Sequence, residues 1–467
     1  MRRTVVKKRW IALLTAGTLI FSGALAFPDA AGAEETDNKT AESVTKPMEE
    51  TAEIPLRLIR NLEKYAPEGE SIFPELSSSA YGGREEVIGL PPVMPSEGNV
   101  KTLVILTEFQ DAEFTAEFKA DLKAGIFRDR SESKPEDGTY PVDSLRAYYQ
   151  RSSFGKLNID GEFTEYRSEH ERSWYRTDQN NCPSSLYQEA LDAFAKETVE
   201  KERAAKENEE RSDLELLDAY LAQFDLDNDM SIDGCYLACA GGNDGWAGKW
   251  WSYRAPTKDL HIGSYHLPYV IQVVDILSAA GVKGKDDAKD YILSFIHETG
   301  HQLGLLDCYS YGNLGLDKYQ TFGMMTESLN GEMDGFSRML LGWLPEESVH
   351  WVTEDGVYEI KPYAENGDVY LIRSKQDASA GNPIYSQYIL AEYYKNEEND
   401  TVGDLHPRNL PIGIITAPTE GMRFYHIYAR LNSAGNDFVA SDEEDTRIPL
   451  ISAYNRVLPL VDNQPIE

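Results

Sequence analysis

Residues 296–310 read IHETGHQLGLLDCYS, in which Glu298 stands directly after His297 and His301 follows four positions after His297. A helix advances about 100° per residue, so both histidines project from one face and can reach a single ion. Zinc prefers nitrogen, sulfur and oxygen ligands, and a catalytic zinc site keeps one position for water. Glu298 would lie beside that water and accept its proton. The stretch therefore predicts the metal centre of a hydrolase, with a partly exposed amphipathic helix as the alternative.

The residues that follow predict a third metal ligand. Gly304 can end the helix in a left-handed conformation, and Asp307 comes three residues later. A bend at the glycine would return the chain to the ion, so Asp307 is the preferred third ligand, with Glu327 and Glu332 as alternatives. A carboxylate that only closes the turn is the other interpretation of Asp307.

Hydrophobic patterns on both sides of the motif predict an α+β fold. Apolar residues recur at helical spacing over residues 285–303, and a second helical stretch covers residues 184–223. Continuous apolar runs at residues 101–109, 234–242 and 265–277 predict buried strands.

After the motif the pattern changes to short alternating runs separated by Gly, Pro, Asn and Asp, which is typical of strands. We therefore predict a catalytic domain at residues 96–345, with a mixed β-sheet and an active-site helix. A β-rich C-terminal unit is predicted at residues 346–467.

The first 33 residues have the organisation of a secretory signal peptide. Basic residues precede a short apolar run, and a small-residue triplet predicts cleavage after Ala33, with Ala26 as a second candidate. The apolar run is marginal for a membrane span. We expect a secreted, extracellular protein, with retention at the cell surface left open. Residues 34–95 are predicted to form a disordered leader or pro-region, with one short helical candidate at residues 56–65.

The charge balance excludes one class of partner. The chain has 45 Lys and Arg against 79 Asp and Glu, a formal net charge of −34. Nucleic-acid binding needs the opposite sign, so nucleic acid is not an expected partner. An acidic surface favours solubility and the binding of cations instead.

The cysteines are sparse and do not have the spacing of a zinc site. Cys235 and Cys239 are not part of a C-x-x-C pair, and Cys182 and Cys308 stand alone. Four cysteines in an exported chain allow three pairings of two disulfides, and the sequence does not choose among them. All four are predicted to be structural, either bridged or buried.

A second ion site is predicted in residues 225–233, DLDNDMSID. Oxygen ligands at alternate positions are typical of a calcium loop. The predicted ligands are Asp225, Asp227, Asp229, Ser231 through its carbonyl, and Asp233. The usual turn glycine is replaced by Met230, and Tyr236 stands where such a loop has its last glutamate. A plain acidic turn is therefore the alternative.

The sequence also resembles a known family. HETGHQLGLLDCY (297–309) is similar to the zinc helix of immune inhibitor A-like (M6 family) metalloproteases, whose motif runs H-E-x-G-H-x-L-G-L-P-D-x-Y. Six further stretches resemble segments of the family in the same order: residues 100–114, 144–163, 222–251, 322–344, 388–394 and 422–431. Together the resemblance covers roughly residues 97–435. Leu306 replaces the usual proline.

The resemblance implies a zincin/metzincin-like catalytic domain. It implies that Met325 forms a methionine turn below the zinc, although Gly323 and Met324 precede it where the family has an Asp-Leu-Met type sequence. An ordinary core methionine is the alternative. It also implies a structural calcium ion in residues 225–233. The Gly- and Trp-rich stretch at 242–251 would line the substrate cleft or belong to the core.

We therefore expect a secreted zinc endopeptidase that hydrolyses peptide bonds of extracellular proteins, with Glu298 as the general base. One alternative is an exported binding or adhesion protein that keeps the protease fold without activity. Another is a calcium-stabilised cell-wall protein in which the histidines are incidental. Protein or peptide substrates are the expected partners, and Zn²⁺ and Ca²⁺ the expected cofactors.

Overall fold

A computed structural model describes the parts of the chain in which the sheets and the main helices lie. The described residues are 58–70, 92–136, 140–176, 184–205, 210–243, 249–257, 260–275, 288–307, 323–326, 331–373, 384–385, 387–401, 420–427, 429 and 451–458. The predicted signal peptide with its cleavage candidates Ala26 and Ala33 lies outside them, as do Cys182, Cys308 and Glu327.

The first sheet carries five strands and is mostly parallel. Its strands are β1 (Gly98–Glu108), β2 (Leu157–Arg167), β3 (Cys235–Gly242), β4 (Tyr253–Pro256) and β7 (Tyr269–Asp275). They lie in the order β2-β1-β3-β7-β4, and only β4, at the edge, runs antiparallel to its neighbour. A short hairpin, β5 (His261–Ile262) and β6 (Tyr265–His266), precedes β7. The predicted strands at 101–109, 234–242 and 265–277 are thereby confirmed for the described residues.

Five helices accompany this sheet: α1 (Ala116–Gly125), α2 (Leu145–Ser152), α3 (Ser184–Ala205), α4 (Asp213–Leu221) and α5 (Ala288–Gln302). Side-chain caps mark where two of these helices begin. The Thr115 and Ser144 side chains accept hydrogen bonds from backbone N–H groups in the first turns of α1 and α2. Ser212 and Glu215 form a capping box at the start of α4. The stretch 184–223, predicted as one helical segment, contains two helices because this cap begins a new one.

The two faces of the first sheet have separate cores. Val104 and Leu106 of β1 belong to a buried cluster with residues of α1, α2 and α5, whereas Leu103 and Ile105 belong to one with α3 and α4. Successive strand residues point to opposite faces, so a strand covered on both sides needs a continuous apolar run. This is the reason for the run that the sequence shows at 101–109.

The second sheet also has five strands and confirms that the later part of the chain is rich in β-structure. Its strands are β8 (Val349–Val352), β9 (Val369–Ile372), β10 (Tyr388–Lys395), β11 (Glu420–Ile427) and β12 (Ile451–Leu458), in the order β12-β11-β10-β9-β8. All neighbours are antiparallel except β8 and β9. Two short helices, α6 (Gly335–Leu340) and α7 (Tyr363–Asn366), accompany it.

The described residues all belong to one compact unit that spans Met48–Glu467. Val369, Leu390 and Tyr425 of the second sheet lie in the same buried cluster as Val104 and Phe295 of the first part. Among the helices that the structure describes, none combines the length and apolarity needed to cross a bilayer.

Part of the predicted leader is folded. Residues 58–61 are helical and continue into a 3-10 turn, Leu62–Tyr65, whose Leu62 and Tyr65 are buried. The Tyr65 hydroxyl donates to the Leu344 carbonyl (3.0 Å), and the Trp351 indole donates to the Tyr65 carbonyl (2.9 Å). The short helix predicted at residues 56–65 is therefore confirmed for residues 58–65, whose apolar side chains have a tertiary surface on which to pack, so this part of the region 34–95 is not disordered.

Candidate metal centre

The histidines of the opening motif converge on one carboxylate oxygen. The Nε2 atoms of His297 and His301 lie 3.1 and 3.3 Å from Oδ1 of Asp307. The two rings are nearly perpendicular, at 86°, and their centroids are 4.8 Å apart. Ligand atoms about 2.0–2.1 Å from a tetrahedral zinc ion are about 3.3 Å from each other, so these separations fit adjacent ligands of one ion.

Backbone carbonyls determine which ring nitrogens face the carboxylate. Nδ1 of His297 lies 2.9 Å from the Met324 carbonyl, and Nδ1 of His301 lies 2.8 Å from the Leu305 carbonyl. A carbonyl only accepts, so each Nδ1 must carry the proton. In the neutral rings, both Nε2 lone pairs then point at the anionic Asp307 oxygen. That arrangement needs a cation between them, either added protons or a metal ion.

The bend after α5 places Asp307 and the Leu305 carbonyl. Gly304 has a φ of +95°, which confirms the predicted left-handed end of the helix. The Leu305 N–H donates to the Gly300 carbonyl (2.9 Å), and the Gly304 N–H donates to the His301 carbonyl (2.9 Å). These bonds close the helix end, so the chain turns back across it.

Met325 lies against the middle of α5. A Cβ placed on Gly300 would overlap the Met325 sulfur, and Met325 is buried. Gly300 stands between the two histidines along the helix, so the methionine packs beneath the residues that carry them. The carbonyl of the preceding Met324 is the one that binds His297.

Glu298 is buried beside the group formed by His297, His301 and Asp307 and is not a member of that group. Burial raises the pKa of its carboxyl to about 8; His297 and Arg254 oppose this rise, and Asp307 adds to it. Its Oε2 makes no hydrogen bond within the described part of the chain. By contrast, the two histidines outweigh the burial of Asp307 and hold the pKa of that carboxyl well below its usual range. The site thus holds an ionised carboxylate, that of Asp307, and a second carboxylate, that of Glu298, which readily takes a proton.

The reserve ligand Glu332 is not brought to this site. Its carboxylate accepts hydrogen bonds from the Met333 N–H (2.8 Å), from the Asn399 amide (3.0 Å) and from the Ser152 hydroxyl. It is buried in a network that also contains Arg338. Glu332 has its hydrogen bonds satisfied there, so the prediction of Glu332 as an alternative ligand is wrong. Glu327, the other reserve, lies outside the described residues.

The acidic loop at residues 225–233 brings together three of the four carboxylates predicted as ligands. Carboxylate oxygens of Asp225, Asp227 and Asp229 lie within 4.8 Å of one another, whereas Asp233 is not in this group. The Asp225 carboxylate accepts from the N–H groups of Asp229 (3.1 Å) and Met230 (3.0 Å). Met230 takes the place of the usual glycine with a φ of +66°, so the loop has the left-handed turn without the residue that favours it.

Asp233 lies close to these carboxylates. Burial, followed by the charges of Asp227, Asp225 and Asp229, raises the pKa of its carboxyl to about 8. Its Oδ2 accepts from the Leu226 N–H (2.8 Å). Four acids gathered around one loop repel each other unless protons or a cation neutralise them.

Other predicted features have structural roles. Trp250, in the Gly- and Trp-rich stretch, is buried in the core with Phe109. Cys235 and Cys239 are buried, and burial raises the pKa of the Cys235 thiol to about 12, so it is a poor metal ligand at neutral pH.

Sequence reasoning missed several residues around the centre. The Met324 and Leu305 carbonyls orient the histidines, and Arg254 lies near Glu298. A backbone carbonyl has no signature in the sequence. Arg254 is more than forty positions before the motif, and only the sheet brings it close.

Comparison with known proteins supplies no relative. No family model matches the chain, and no curated protein matches it. Function is therefore inferred from the arrangement of the side chains. The group of His297, His301 and Asp307 is the arrangement that points most directly to one kind of chemistry.

Proposed function

We propose that this chain is a secreted zinc-dependent endopeptidase in which His297, His301 and Asp307 bind the metal ion. The observation that carries the proposal is the orientation of the two rings: each Nδ1 faces a carbonyl, and each Nε2 faces the same Asp307 oxygen. A divalent cation at that point would satisfy all three donors. Three protein ligands leave one position for water, as a hydrolytic site requires.

Glu298 is the residue proposed to move protons. A zinc ion bound at this site would supply a water of lowered pKa and would polarise the peptide carbonyl. Glu298 would take up the proton of the attacking water and then deliver it to the leaving amine. Its burial suits this role, because a carboxyl with a raised pKa holds the proton between the two transfers.

The architecture supports a zincin/metzincin-like catalytic domain, and with it the resemblance to immune inhibitor A-like metalloproteases. The supporting features are a mostly parallel sheet with an antiparallel edge strand, the motif on α5 below it, and a buried Met325 against that helix. Protein or peptide substrates outside the cell follow from this proposal.

Calcium is the cation proposed for the acidic loop. Asp225, Asp227 and Asp229 offer only hard oxygen ligands, which calcium prefers, and neutralising them would relieve their repulsion. Calcium titration followed by thermal unfolding tests this assignment. The expected result is a rise in Tm that Asp227→Asn reduces, and no rise in Tm would contradict it.

The central experiment compares Glu298→Gln and His301→Ala with the wild-type chain by zinc analysis and peptide hydrolysis. Glu298→Gln is expected to keep zinc but lose at least a hundredfold in kcat, whereas His301→Ala loses zinc as well. His350→Ala is a matched control, since His350 also pairs with an aspartate, Asp368 (2.9 Å), but lies elsewhere. Zinc-loaded wild-type protein that cleaves no member of a broad peptide library would instead favour a non-catalytic binding protein.

A further inference from the structure

The edge strand of the first sheet lies beside the candidate metal centre. β4 pairs with β7, with Arg254 opposite Ile271 and Pro256 opposite Tyr269. Its other side pairs with no strand that the structure describes. The backbone N–H of Arg254 donates towards the Glu298 carboxylate. An open strand edge is a place where an extended peptide can add as a further strand.

The Arg254 side chain ties this strand to the metal-binding helix. Its Nε donates to Oε1 of Gln302 (2.9 Å), and its guanidinium carbon lies 3.5 Å from the centre of the Tyr269 ring. Gln302 directly follows His301 and is almost fully buried. The planar guanidinium is therefore held by a hydrogen bond on one side and an aromatic face on the other.

Gln302 is itself fixed from several directions. Its Nε2 donates to the Asp233 carbonyl (2.9 Å), while its backbone carbonyl accepts from the N–H groups of Val93 (3.0 Å) and Met94 (3.1 Å). The guanidinium only donates and the Asp233 carbonyl only accepts, so the amide satisfies both in a single orientation. Gln302 thus joins the end of the acidic loop, the helix and the edge strand.

We propose that Arg254 and Gln302 are positioning residues, and that the hydrogen bond between them fixes the distance between the edge strand β4 and helix α5. A peptide added to β4 would then present its carbonyl to Glu298 and to the ligand group. This inference rests on the proposed protease function and adds the residues that place the substrate. Both residues act indirectly, through the position of the edge strand, because neither is one of the proposed ligands His297, His301 and Asp307.

A double-mutant cycle with Arg254→Met and Gln302→Met tests the pair in the full-length chain. Each variant is expected to raise KM for an extended peptide about tenfold, the size expected from losing a hydrogen bond to a charged group. Gln302→Met keeps the charge of Arg254 near Glu298 and is expected to change kcat less than about twofold. The double variant is expected to be no worse than the poorer single variant, since both remove the same link. Arg254→Lys keeps a charged donor and should recover part of the loss.

Hydrogen exchange supplies a readout that does not require activity. The backbone amides of residues 253–255 are expected to exchange about tenfold faster in both variants, while zinc content stays at the wild-type level. Arg203→Met, at an exposed arginine paired with Asp213, is the matched control and should change neither quantity.

Different results would contradict different parts of this account. Active variants with unchanged KM, additive effects in the double variant, or unchanged exchange at residues 253–255 would overturn the positioning role. A zinc-loaded wild-type chain that hydrolyses no peptide would refute the protease function itself, and the role in substrate placement with it.

Discussion

Met325 packs directly against Gly300, so that no side chain larger than hydrogen fits between its sulfur and α5. The glycine lies between the two histidines of the motif, and Met324 supplies the carbonyl that orients His297. The loop of Met324 and Met325 thus supports, from below, the helix face that carries the candidate metal ligands. The close approach of helix and loop requires glycine at this position.

Replacing Gly300 by alanine should weaken both folding and zinc binding. The added methyl group displaces Met325 and with it the Met324 carbonyl, at a cost of about 1–3 kcal/mol in unfolding free energy. Urea unfolding and zinc competition with a chelator measure the two effects. Gly356→Ala, where the added Cβ meets only ordinary contacts, is the control. Recovery of zinc affinity in Gly300→Ala/Met325→Ala would support the steric cause, and wild-type affinity in the single variant would contradict it.

Asp307→Asn should lower zinc affinity by at least about tenfold while the rings keep their carbonyl partners. The asparagine preserves volume but removes the negative charge that the two histidines stabilise. Chelator competition at fixed pH gives the affinity. Asp368→Asn, which removes the carboxylate paired with His350, is the control and should leave zinc binding unchanged. Equal zinc affinity in Asp307→Asn and wild type would exclude Asp307 as a ligand.

The folded part of the leader should contribute to stability. Leu62→Ala is expected to lower the unfolding free energy by about 2–5 kcal/mol, because Leu62 is fully buried within the main core. Leu214→Ala, at a leucine that is 51% exposed, is the matched control and should change little. Denaturant unfolding measures both variants. We also expect the active protein to retain residues 58–65, and mass spectrometry showing their loss from it would contradict this.

Glu392 should make stability fall as pH rises through the weakly acidic range. Burial raises the pKa of its carboxyl to about 7, against the opposing charge of Arg423 and with the support of Asp334 and Asp400. Between its ordinary value near 4.5 and 7, the unfolded chain loses this proton while the folded chain keeps it. Folding is therefore favoured by this group below pH 4.5, and the benefit disappears by pH 7.

The measurement is urea unfolding from pH 4.5 to 7 in the wild type and in Glu392→Gln. The variant cannot titrate at this position, so its unfolding free energy should fall less steeply with pH. Glu365→Gln, at an exposed glutamate, should keep the wild-type slope. Parallel slopes in the wild type and Glu392→Gln would show that Glu392 is ionised throughout this range.

Local patterns predicted much of the fold. The helix that carries the motif, expected at 285–303, is present as Ala288–Gln302, and Gly304 ends it in the left-handed conformation. The apolar run at 101–109 is the central strand β1. These features depend on the period of a helix or strand and on the steric freedom of glycine, which are properties of neighbouring residues.

By itself, the sequence determined that His297 and His301 share a helix face and that a bend places Asp307 within range. Only the tertiary structure decided which carbonyls orient the rings, that Glu332 is held in a separate polar network, and that residues 58–65 belong to the core. It also brought Arg254 of the edge strand to Gln302. Helical spacing follows from bonds between near neighbours, whereas these contacts join segments far apart in the chain and exist only once the sheets have packed.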